Sequence, residues 1–358
     1  MLRSLAKRFP DLAIPILTGA SAGALNAVAL ANHPGSLADA VDELSELWAN
    51  LTIDQVFRVD RRSLASHVAR FGVGLVAGGA RGAPQPRSLV DTAPLRELVT
   101  EVLGRGGREP GGIAHNLDSG RLRAVAITTT CYTSGRSVTW VEGRGVEPWA
   151  RPQRVGVRAA LSADHVLASA ALPLLFPAVR IGDAWHGDGD VRLAAPLSPA
   201  LHLGARRILA VSTRFTPSHA PPPAACASEL VAYPTPAQVI GMILNAVFVD
   251  GLEQDALRLV QVNELLMRGE ERAGGGLRPV DLFVMRPSRD LGELATHFER
   301  ELPSTFRWLT RGLGTHQTRA ADSLSFILFQ PAYLRALITL GERDAESYAQ
   351  AIESFVEH

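Results

Sequence analysis

Cysteine is nearly absent: Cys131 and Cys226 are the only two in 358 residues. Neither belongs to a Cys-x-x-Cys pair or a Cys/His cluster, which argues against a structural zinc site. The scarcity also argues against a disulfide framework and leans toward a reducing compartment. Lysine is scarcer still, since Lys7 is the only one and arginine carries the remaining basic charge. With abundant alanine and glycine, this reads as a coding bias and not as a functional trait. An excess of one charge sign is missing too. The 36 basic and 36 acidic residues cancel to a formal net charge of +0, so nothing global favours a nucleic-acid partner. No apolar run reaches the roughly 20 residues of a membrane-spanning helix. No P-loop or Gly-x-Gly-x-x-Gly follows an expected strand, which disfavours a nucleotide-binding protein. The expectation is a chain without metal, cofactor or nucleic acid.

What is present suits a folded domain. Hydrophobic residues make up 46% and charged residues 20%, too apolar for disorder. Arg3, Lys7 and Arg8 precede an apolar stretch that ends in residues 27–31, a pattern that mimics a secretory signal. Pro10 and Asp11 interrupt the flank, and Thr18, Ser21 and Asn26 make the stretch too polar for a signal core. Folded structure is the better reading.

Along the chain, residues 2–9 read as a short helix and 14–17 as a strand. A tight turn over 19–23 leads into a helix stopped by His33-Pro34-Gly35. An amphipathic helix spans 37–50, and residues 72–87 read as a Gly/Arg/Pro loop. Strands are expected at 123–130, 137–141, 178–181 and 207–212, with a helix at 157–171. A Pro/Ala-rich link over 216–236 precedes one long helix to about residue 268, whose apolar part 239–249 reads as buried, with the lining of an acyl-chain pocket as the lesser alternative. The run 280–285 reads as a strand that rejoins the sheet. Alternating strands and helices predict an α/β fold, a three-layer α/β/α sandwich with a mostly parallel central sheet. The expected division is a catalytic domain over 1–213 and a mostly helical extension over 214–358.

Gly19-Ala20-Ser21-Ala22-Gly23 is a Gly-x-Ser-x-Gly motif between an expected strand and an expected helix. A serine there is exposed on a sharp turn, and the helix that follows offers free N–H groups to a developing oxyanion. Glycines two positions either side let the turn close. By itself the motif is short enough to be a packing turn.

Further motifs make the reading specific. Thr18 to Ala27 resembles the nucleophile segment of the patatin-like phospholipase family, Ala-Leu-Asn-Ala tail included. Gly187-Asp188-Gly189-Asp190 resembles that family's Asp-Gly-Gly/Ala catalytic turn and is followed by Ala195-Pro196-Leu197. Residues 168–173, Phe176-Pro177 and residues 91–95 resemble further family patterns, in the family's order. The resemblance covers about residues 1–213. It implies a serine lipid acyl hydrolase, of the phospholipase A or lipid esterase type, working through an acyl-enzyme. Ser21 would be the nucleophile and Asp188 the base of a Ser–Asp dyad. Gly19, Ala22 and Gly23 would form the elbow and oxyanion donors, and Gly187 and Gly189 would support the aspartate turn. The implied partner is a lipid or phospholipid ester, and the implied location is the cytoplasm with peripheral membrane contact.

Two departures matter. Asp190 stands where the family has Gly or Ala, so it either repels Asp188 or points to solvent. The family also places a strand and a Gly-Gly-Gly-x-Arg-Gly loop before its first helix, and Met1 to Leu5 reads as that helix. The expectation is a position beside the strand 14–18 that is left open or filled by another segment, and a weak oxyanion hole, worth about 100- to 1000-fold in rate per donor. The alternative is an impaired, lipid-binding or regulatory relative. Gly78 to Gly82 matches the loop by letter, but no expected strand precedes it. His297 and His316 are late enough for a Ser-Asp-His triad but read as surface residues, and His186 reads as lining the cleft or lying at the surface. Arg61-Arg62 and the apolar residues to Val76 read as a cap helix packed on the core, with a basic, membrane-facing element as the weaker alternative.

Overall fold

The computed structural model describes residues 1–58, 88–104, 112–216, 236–248, 250–268, 277–304, 307 and 322–357. Gly78 to Gly82, the segment from Arg61 to Val76, Cys226 and His316 lie outside the described residues.

Nine strands are described: β1 Ile16–Ala20, β2 Ala124–Cys131, β3 Arg136–Gly143, β4 Trp149–Arg151, β5 Arg154–Arg158, β6 Val179–Ile181, β7 Ala184–Gly187, β8 Arg207–Val211 and β9 Asp281–Met285. The first seven form one sheet in the order β4-β5-β3-β2-β7-β6, with β1 also on β2. β2 is its spine. All eight of its residues are buried, and no position in Ala-Val-Ala-Ile-Thr-Thr-Thr-Cys carries a charge to solvate. Its alternation distributes side chains to two layers. Val125 and Ile127 face the helices Ala22–Asn32 and Ala163–Ser169 through Leu25, Val28, Val166 and Leu167. Ala124 and Ala126 face the other way, toward Val141, Val146 and Leu203 beside the helix Ser198–His202. Helices therefore cover both faces, as a three-layer α/β/α fold requires. Each fully buried Val or Ile here contributes roughly 1.5–3 kcal/mol.

The helix Leu37–Asn50 begins where the sequence predicts, because Ser36 and Asp39 form a capping box. The Ser36 hydroxyl accepts from the Asp39 N–H at 3.2 Å, and the Asp39 carboxylate accepts from the Ser36 N–H at 3.1 Å.

Several expectations change. The larger sheet is mixed: β1–β2 and β3–β5 are parallel, while β2–β3, β2–β7, β4–β5 and β6–β7 are antiparallel. Short hairpins, which allow antiparallel neighbours only, replace the helical crossovers that a mostly parallel sheet needs. Residues 157–171 do not form one helix. Arg154–Arg158 extends as β5, and the helix is only Ala163–Ser169. Val155 and Val157 alternate with Arg154, Gly156 and Arg158, a two-residue period that fits a strand. β9 forms where expected but pairs in parallel with β8, in a two-stranded sheet apart from the larger one. That pairing crosses the expected boundary at 213/214. The long helix divides into Pro236–Phe248 and Asp250–Met267.

Beside β1 the described residues leave the sheet open. Among the described residues β1 pairs with β2 alone. On its other side a cavity of about 870 Å³ is lined by the whole of β1 and of β8.

Candidate active site

Ser21 and Asp188 are 167 residues apart in sequence, and β2 brings them together. β1 runs parallel to β2 and ends with Ala20 opposite Thr128. β7 runs antiparallel along β2 and ends with Gly187 opposite Thr130. The two strands approach head-on, and the next residue of each is Ser21 and Asp188. Their ends stand two positions apart on β2, about 7 Å at strand rise. The Ser21 hydroxyl donates to Asp188 Oδ2 at 2.8 Å, so no histidine stands between them.

The backbone of Ser21 has φ 51°, a left-handed value that costs a non-glycine residue about 1–3 kcal/mol. Local packing holds it there. A Cβ on Gly19 would lie 2.1 Å from the Gly23 carbonyl oxygen, so only glycine lets the helix Ala22–Asn32 begin this close to β1. Gly23 has no such constraint, since a Cβ there would meet nothing within 4 Å. The Ser21 N–H donates to Ser169 Oγ at 3.2 Å, and Ser169 donates onward to the Thr128 carbonyl at 2.6 Å.

Asp188 is fully buried. Its Oδ1 accepts from the Asp190 N–H at 3.0 Å, its N–H donates to the Ala171 carbonyl at 3.0 Å, and Thr130 donates to its carbonyl at 2.8 Å. Gly189 must be glycine because a Cβ would lie 2.1 Å from the Thr128 carbonyl oxygen. Gly187 sits against the Tyr132 ring, with its Cβ position 2.1 Å from the phenol oxygen.

Burial raises the Asp188 carboxyl well above the usual carboxylate range, and the neighbouring Asp190 charge adds to this. The Asp190 N–H and the Ser21 hydroxyl act in the opposite direction. Asp190 itself is pushed up to about 7 by burial. It lines both the cavity at Ser21 and the one beside β1, so it does not simply point to solvent.

Ser21 opens into a cavity of about 970 Å³. Its walls are mainly apolar, with Leu51, Val99, Leu167, Phe176, Phe329 and Leu334 among them. Arg214, paired with Asp250, brings charge to the same space.

The histidines stand apart. His186 is buried, its Nδ1 3.0 Å from the Thr129 hydroxyl and its ring against Trp140. It is a core residue and neither lines the cleft nor lies at the surface. His297 is exposed and its Nδ1 is bonded to the Glu293 carbonyl. Among the described residues no group of three or more His, Cys, Asp or Glu is arranged to hold a metal ion. Sequence reasoning gave no role to Ser169 or Thr130. Ser169 lies within the recognised 168–173 segment, but a serine near a helix end carries no sign of its partner.

No curated protein matches the chain. The model of the patatin family, described as patatin-like phospholipase, matches residues 5–201. With more than half of its length so matched, the chain belongs to the patatin-like phospholipase family, a family of lipid acyl hydrolases.

Proposed function

We propose that the protein is a serine hydrolase of lipid esters that uses Ser21 as nucleophile and Asp188 as base. The observation that carries this reading is the 2.8 Å hydrogen bond to a buried carboxylate from a strained, turn-borne serine that lines a mainly apolar cavity.

The chemistry follows from the groups present. A serine hydroxyl is a weak nucleophile until a base accepts its proton. Asp188 Oδ2 already accepts that hydrogen bond, and burial makes this carboxylate a stronger base than a solvated one. Ser21 Oγ attacks the ester carbonyl carbon as its proton passes to Asp188. The carbonyl oxygen becomes an oxyanion, held by the N–H groups of Ala22 and Gly23 at the start of the helix Ala22–Asn32. Collapse breaks the bond to the alcohol, which leaves with the proton from Asp188, and Ser21 stays acylated. Asp188 then takes a proton from water. The hydroxide oxygen attacks the acyl carbon, and Ser21 leaves with the proton as the fatty acid is freed. The apolar walls suit an acyl chain, and their exclusion of water strengthens each of these interactions.

The test compares hydrolysis of a soluble short-chain ester by the wild type and by Ser21→Ala and Asp188→Asn. Both substitutions are expected to lower kcat by at least about 1000-fold while circular dichroism stays unchanged. Full activity in either variant overturns the dyad. Lipid binding without turnover by the wild type would favour the non-enzymatic alternative.

A further inference from the structure

The apolar stretch 239–249 reads from sequence as buried or as lining an acyl-chain pocket, yet part of the helix Pro236–Phe248 faces solvent. Its thirteen residues include no charged side chain. Val239 is 46% exposed, Met242 73% and Ile243 57%. Their spacing of three and four residues aligns them as one stripe on the helix surface. The adjoining side of the same helix, through Asn245, Ala246 and Phe248, lines the cavity that holds Ser21. Met242 belongs to both, since it is exposed and also lines the cavity. The stripe is thus continuous with the mouth of the candidate active site.

The next helix provides a contrast. On Asp250–Met267 the exposed Leu257, Val260 and Leu265 are interspersed with the exposed Arg258 and Glu264, an ordinary mixed face. On Pro236–Phe248 nothing charged interrupts the apolar surface. Thirteen residues of helix measure roughly 20 Å. That is short of the hydrocarbon core of a bilayer, about 30 Å. Among the described residues no helix is long and apolar enough to cross a membrane. A short apolar helix of this kind can lie in the plane of a bilayer surface, its apolar stripe sunk among the acyl chains.

We propose that Val239, Met242 and Ile243 form the face by which the protein docks on a phospholipid surface, resting on the lipid-hydrolase reading above. In the docked state a lipid ester passes Met242 into the Ser21 cavity without its acyl chain crossing water. The occupant is a lipid surface because the stripe opens onto a cavity whose walls suit an acyl chain, and because no charge on the helix opposes insertion.

The test uses the full chain and sedimentation with phosphatidylcholine vesicles. Val239→Asp/Ile243→Asp is expected to lower the vesicle partition coefficient at least tenfold, and hydrolysis of vesicle phospholipid with it. Hydrolysis of a soluble short-chain ester should stay within twofold, because neither residue lines the cavity. Ile243→Trp supplies a readout that needs no loss of function: its emission, taken as the difference from wild type, should shift to the blue when vesicles are added. Partition within twofold of wild type in the double variant, or an unmoved Trp emission, overturns the proposal. So does a concentration-dependent dimer abolished by the double variant while vesicle binding persists, because the stripe is then a contact between copies. If the wild type and Ser21→Ala hydrolyse the soluble ester equally slowly, the hydrolase reading fails, and vesicle partition still decides docking.

Discussion

Asp190 is the residue that sets this site apart from the family pattern, and its effect has a definite sign. Protonated Asp188 cannot take the Ser21 proton, so activity should fall as pH drops through its raised pKa. Asp190 contributes to that rise by like-charge repulsion. Asp190→Asn should therefore move the acid limb of kcat/KM to lower pH, measured on a soluble ester. An unmoved limb would mean that the two carboxyls do not interact. Stability should respond as well. Asp190 keeps its proton up to about 7 in the folded state, against an ordinary 3.8. The folded protein thus binds more protons between these values, and its stability falls as pH rises from about 4 to about 7. Asp190→Asn removes that loss. The variant should match wild type in urea unfolding near pH 4 and exceed it by about 1–2 kcal/mol at pH 8, a figure reduced for its partly exposed side.

At the scale of elements, the open edge of β1 makes its own prediction. β2 is paired on both sides and wholly buried. β1 is only half-buried, and among the described residues it has a partner on one side. Every second amide of Ile16–Ala20 therefore points into the cavity shared with β8. Native-state hydrogen exchange should be on the order of 100-fold faster at those amides than along β2. Equal protection would mean that another segment pairs with β1. Elements differed in how far they could be read. The helix Leu37–Asn50 was legible because its cap and its apolar period are local. β4 and β5 were not: β4 has only three residues, and the alternation over 154–158 runs straight on into the helix Ala163–Ser169, so only the pairing of β5 with β3 and β4 marks it as a strand. The surface stripe on Pro236–Phe248 was hidden for the same reason: an apolar helix looks buried until its neighbours are known.

For the whole molecule, the two expected domains are joined by shared structure. β8 pairs with β9, and Leu324, Leu328 and Tyr333 enter the main core beside Phe57 and Phe176. Phe329 and Leu334 close the Ser21 cavity from the same region. The chain cut after Thr213 should therefore lose cooperative unfolding and bind a hydrophobic dye in its native buffer. A sharp two-state melt from that fragment would show that the first part folds alone. By itself the sequence determined the family, the strand–serine–helix turn, the Ser21 hydroxyl and Asp188 carboxylate as candidates, and the need for glycine at Gly19 and Gly189, though not at Gly23. Those are properties of short segments, fixed by backbone sterics and by local side-chain chemistry. Only the tertiary structure decided that β1 and β7 meet head-on along β2, that Ser169 and Thr130 bind the turn and that Asp190 faces its neighbour's charge. It also decided which side of an apolar helix stays in water. Apart from the Asp188–Asp190 pair, each of these depends on contacts between segments tens of residues or more apart, and the local pattern of a chain carries no record of the distance across a sheet.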